Sequence, residues 1–84
     1  MVKLLKILLS EAIVLGISNE AKLLIEEFIE YNECDLAFDQ VLYELHENSI
    51  PITLACFYKI TEIAGVMKIE EDDYAFIKEL ILDP

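Results

Sequence analysis

His46 is the only histidine in a chain of 84 residues, so any catalytic or metal-binding chemistry has to be built without a second imidazole. A usual zinc site draws on several His or on paired Cys. The two cysteines here, Cys34 and Cys56, lack the CxxC spacing, and they read as two reduced thiols packed as small apolar groups. Only two glycines are present, Gly16 and Gly65, which excludes a P-loop and a G-x-G-x-x-G fingerprint. With no arginine either, phosphate chemistry has no anchor. Glu70-Glu71-Asp72-Asp73 is contiguous, whereas an EF-hand loop alternates its ligands. That run fits the first turn of a helix, where negative charge meets the positive end of the dipole. No nucleophile and base stand at a recognisable spacing, so His46 reads as a surface residue. The residues predict a binding protein and not an enzyme, with no cofactor and no metal.

The carboxylates are the other chemically active groups. Seventeen acids face six lysines, for a net charge of −11. Such a charge repels nucleic acid and anionic membranes and favours a basic protein partner. It also keeps a protein dispersed, which by itself needs no partner. The distribution is uneven. Glu20 to Glu47 holds nine acids and one lysine, and Glu70 to Pro84 holds six acids and one lysine. The two remaining blocks, 1–19 and 48–69, each come to +1. This segregation favours a partner over simple solvation. Asp35 and Asp39 stand four apart, where like charges weaken a helix. Tyr43, beside Glu44, has the character of a protein-contact residue. On exposure and charge, Glu26, Glu30, Asp35, Asp39, Tyr43 and Glu47 are the expected contact residues. Tyr58 and Tyr74 are expected to pack their rings inward and leave the hydroxyls wet.

These groups need elements to position them. The length suits one domain, over half of the residues are apolar, and Gly and Pro are scarce. An apolar run over Val2–Leu15 has a narrow polar stripe of Lys3, Lys6 and Ser10, with Glu11 beside it. Its start resembles a signal peptide, but Glu11 interrupts the apolar stretch and no cleavage site follows. A buried amphipathic helix in a cytoplasmic protein is expected, stopped by Gly16. A second helix is predicted over Glu20–Tyr31, with Ala21, Leu24, Ile25, Phe28 and Ile29 on one stripe. A third covers Cys34–Glu47 around Phe38, Val41, Leu42 and Leu45. Asn48-Ser49-Ile50-Pro51 breaks the chain. Thr53 then caps a fourth helix, Leu54 to about Val66, with Phe57, Ile60, Ala64 and Met67 inward. A fifth is predicted over Glu71–Leu82, with Tyr74, Ile77, Leu80 and Ile81 inward. The expected fold is all-α, a compact bundle or orthogonal array of about five short helices in one domain, 1–84.

One stretch resembles the MafI family of small immunity proteins. Glu33, Leu36, Ala37, Leu42, Tyr43 and Glu44, followed by Ile50, Pro51, Ile52 and Thr53, stand in the order expected of that family. The ending from Glu71-Asp72-Asp73-Tyr74 to Lys78-Glu79-Leu80-Ile81 is similar to the family's last helix. The sequence departs from the pattern at Cys34 and Phe38. The resemblance implies neutralisation of a secreted polymorphic toxin, or of a contact-dependent growth inhibition toxin. Its cognate toxin domain would be a basic nuclease, EndoU-type RNases being among the related toxins. The residues alone leave open an acidic adaptor or nucleic-acid mimic that binds another basic host protein. A homo-oligomeric module whose acids only solvate it is a further reading.

Overall fold

The computed structural model of the chain describes residues 1–82, most of them in four α-helices. Asp83, counted above in the C-terminal acidic block, lies outside the described residues.

The first helix, α1 (Val2–Leu15), buries Leu5, Leu8, Leu9 and Ala12, an i, i+3, i+4, i+7 stripe. Gly16 stops it with φ of 122°, a conformation that a side chain would strain. The outer side of α1 is broader than the narrow polar stripe expected. Ile7, Ile13 and Val14 are exposed there with Lys3, Lys6 and Ser10. A chain this small has too few elements to enclose a helix on all sides.

Ser18 begins α2 (Asn19–Glu30), its hydroxyl accepting the Ala21 N–H at 3.1 Å. Ala21, Ile25 and Ile29 are buried, and Leu24 lies at the exposed edge of the predicted stripe. Asn32 turns the chain with φ of 58°, a left-handed conformation that asparagine tolerates. The next helix, α3 (Cys34–Glu47), buries Ala37, Phe38, Val41, Leu42 and Leu45. Thr53 caps α4 (Leu54–Met67), its hydroxyl accepting the Cys56 N–H at 3.0 Å. The helix runs to Met67 and stops at Lys68, which is left-handed with φ of 59°.

The fifth segment is helical in a tighter form. It consists of two 3-10 stretches, Glu71–Asp73 and Ala75–Leu80, where an α-helix was expected. Tyr74 interrupts them with φ −131° and ψ −2°. Farther on, the Ile52 N–H donates to the Leu80 carbonyl at 2.9 Å and the Leu82 N–H donates to the Ile52 carbonyl at 3.0 Å. These bonds draw Ile81 into a parallel bridge with Ile52 and end the helix. A segment that fully buries only Ile77 has little tertiary support for an α-helical nucleus. The expected inward residues do face the core, with Tyr74, Leu80 and Ile81 partly buried against it.

The closest packing is α2 against α3, and α1 touches α2, α3 and α4. The short Gly16–Ser18 link turns α2 back along α1. Met1, Cys34, Asp35 and Met67 line one small pocket, so the starts of α1 and α3 meet the end of α4. Leu8, Ile25, Phe38, Leu45, Ile60 and Ile77 are all enclosed, and no buried residue among those described is polar or charged. Cys56 is buried and Cys34 half-buried, and neither is in a disulfide. Tyr74 packs near Phe57, with ring centroids 6.3 Å apart. Tyr58 departs from expectation: it is exposed, because its position on α4 lies opposite the buried stripe of Cys56, Ile60 and Ile63. Among the described residues no helix is long and apolar enough to cross a membrane.

Candidate protein-binding surface

All six expected contact residues are exposed, but they fall in two places. Asp35, Asp39, Tyr43 and Glu47 recur every four residues along α3, opposite its buried stripe. Glu26 and Glu30 lie elsewhere, on the α2 wall of a groove of about 810 Å³ between α1 and α2. The facing wall of that groove carries Val2, Lys6, Leu9 and Ile13. It is thus an amphipathic cleft with charges of both signs at its rim.

The α3 row is the more uniform surface. Asp39 has its carboxyl raised above the usual range, first by partial burial, then by the negative charges of Asp35 and Asp73. Asp73 comes from the first 3-10 stretch, so the fold brings this one acid of the C-terminal run near enough to Asp39 for its charge to be felt. None of these three aspartates is in a salt bridge; among the described residues the lysine–carboxylate pairs are Lys59–Glu11 and Lys78–Glu71, and His46 meets Glu79. Two large apolar side chains stand in the same row of α3 turns, Leu36 at 46% and Tyr43 at 55% exposure. Gln40 is committed locally: its amide donates to Glu44 Oε2 at 2.7 Å. The Asn48 amide donates to the Glu44 carbonyl at 2.9 Å.

Sequence reasoning missed Leu36 and Asp73 as members of this surface. Leu36 carried a signal, since it lies off the Phe38–Val41–Leu42–Leu45 stripe. Asp73 carried a signal only as part of the C-terminal acidic block, since its nearness to Asp39 depends on how the last segment docks. His46 stands at the margin, its ring edge-on to Phe76 at 4.9 Å and its Nε2 2.6 Å from Glu79 Oε1. That arrangement joins two elements and leaves no free base beside a nucleophile. No His, Cys, Asp or Glu cluster suited to a metal ion occurs among the described residues. No family model, curated protein or solved structure matches the chain.

Proposed function

We propose that the chain is an immunity protein that binds and neutralises a cognate basic toxin domain, a nuclease in the first instance, through the acidic face of α3. The observation that carries this reading is the uncompensated row of Asp35, Asp39 and Asp73 beside exposed Tyr43 and Leu36. Like charges held together without a cation cost the fold stability. A positively charged partner recovers that cost on binding. A nuclease must be basic where it holds phosphate, so it offers the complementary surface. Carboxylates then speed the encounter, and Tyr43 and Leu36 supply apolar anchors that slow dissociation. The resemblance to the MafI family supports the same reading.

The test is co-expression with a toxin domain, which this reading expects to be encoded beside the chain. Cells should survive with the wild-type protein and die with Asp35→Lys/Asp39→Lys. In solution the double variant should lose association rate by about tenfold or more at low ionic strength and much less at high salt. A neighbouring reading frame with no toxin domain, or binding that ignores the double charge reversal, overturns the proposal. Recovery of a polymerase or nucleoid protein from a host lysate, in place of a toxin, assigns the surface to the adaptor reading.

A further inference from the structure

The outer side of α1 is the opposite of the α3 surface in charge. Its exposed residues are Lys3, Lys6, Ile7, Ser10, Ile13 and Val14, with no acid among them in a chain of net charge −11. Val14 is 86% exposed. The one acid of the helix, Glu11, is half-buried and meets Lys59 at 3.1 Å. Solvation needs no aliphatic side chains there, and the hydrophobic core does not use them.

The charges of α1 are also badly placed for the helix alone. Lys3 sits in the first turn, at the positive end of the dipole, and neither an acid in that turn nor a base in the last turn offsets it. An antiparallel second copy of α1 reverses both defects. It pairs Ile7 of one protomer with Val14 of the partner subunit, twice over by symmetry. It also brings each Lys3 to the negative, base-free end of the facing helix. At the α3 surface and the C-terminal run self-association meets repulsion between acids. The α1 face carries no exposed carboxylate of its own, and the acids beside it, Glu26 and Glu30, stand across the α1–α2 groove from Lys6 and Ile13.

We propose that the protein self-associates into a two-fold dimer through the outer face of α1, leaving the acidic α3 surface free on each protomer. This inference does not depend on the identity of the toxin. The contact is a single short helix pair with flanking side chains, below the size of a standard stable interface, so the dimer is weak and concentration-dependent.

Sedimentation equilibrium of the full chain from about 10 µM to about 1 mM tests it, at ionic strengths of about 20 and about 500 mM. The apparent mass should climb towards twice the monomer value, and the dimer should gain strength with salt, because screening relieves the net repulsion. Val14→Glu, at an exposed site that cannot unfold the core, should shift the dissociation constant upward by about tenfold or more, whereas Val14→Leu should retain the dimer. A monomer throughout the range, or self-association unmoved by Val14→Glu, overturns the proposal. Association that weakens with salt overturns it too and assigns a head-to-tail contact between the α1 face and the acidic surface. Flotation of a monomeric chain with phosphatidylserine vesicles would assign the face to a bilayer instead.

Discussion

His46 Nε2 lies 2.6 Å from Glu79 Oε1, a contact that ties α3 to the last 3-10 stretch across 33 residues of sequence. Phe76 sets its ring edge-on against the same imidazole. Together with the Ile52–Ile81 bridge, this pair straps the C-terminal segment over α3 and the α3–α4 link. Both side chains are well exposed, so the pair adds only about 0.5 kcal/mol. Glu79→Gln should therefore leave the global melting temperature almost unchanged. It should speed amide exchange at Ile77 to Leu82 by about twofold while α1 amides keep their protection. Equal acceleration in α1 and the strap would contradict the local role of the contact.

Asp39 gives a pH dependence with a definite sign. Its folded-state carboxyl is raised above the ordinary 3.8 by burial, then by Asp35 and Asp73. The folded state therefore holds that proton more tightly than the unfolded chain does. Stability contributed by this group rises as pH falls through the raised value and levels off below 3.8. Asp39→Asn removes the strained charge, so at pH 7 it should raise the melting temperature slightly, by about 1–2 °C once solvent screening is allowed for. The gain should vanish near pH 3.5. The same substitution should weaken toxin binding, if the carboxylate is held there for a partner. A variant that is both more stable and better at binding would mean that the repulsion serves no recognition.

The helices were legible because their signals are local. Gly16, Pro51 and Thr53 each act within one turn of themselves, and the boundaries of α1 and α3 match the expected ones. The buried stripes were legible for the same reason, being read from spacing alone. The last segment was not, because its form is decided by Ile52, far away in sequence, whose backbone captures Leu80 and Leu82. The candidate surface divides along the same line. Asp35, Asp39, Tyr43 and Glu47 share a face by helical geometry, which a sequence displays. The separation of Glu26 and Glu30 from that row, and the arrival of Asp73 beside it, depend on packing between elements.

The two thiols should differ sharply in reactivity. Cys56 is fully buried, and burial, followed by the charge of Glu11, pushes its pKa up to about 11 against a smaller opposing effect of Lys59. Thiolate, the reactive form, is scarce at such a site. Cys34 is half-buried at the start of α3 and opens on a pocket with Met1 and Met67. At pH 8 a disulfide reagent should modify one thiol quickly in the native protein and the second only after unfolding. Peptide mapping should place the fast site at Cys34. Two fast equivalents would show that the α4 side of the core opens readily.

Glu11 and Lys59 form the one ion pair that joins two α-helices among the described residues, with Nζ and Oε2 3.1 Å apart. Oε2 is shielded from solvent yet lacks a well-aligned hydrogen bond, so the attraction is largely coulombic. Removing only the cation leaves a shielded carboxylate uncompensated. Lys59→Met should therefore cost about 1 kcal/mol, roughly a 5 °C fall in melting temperature. Replacing both groups by apolar side chains, as in Glu11→Leu/Lys59→Met, should recover most of the loss, since an ion pair in such a position seldom outperforms packing. The pair also bears on Cys56, whose pKa Glu11 raises and Lys59 lowers. Because Cys56 reacts only through opening of the core, Lys59→Met should quicken its modification by about fivefold, the factor set by about 1 kcal/mol of lost stability. Stability and thiol reactivity would then report the same α1–α4 contact by independent means, and a double variant no better than Lys59→Met alone would show that the lysine acts through its stem and not its charge.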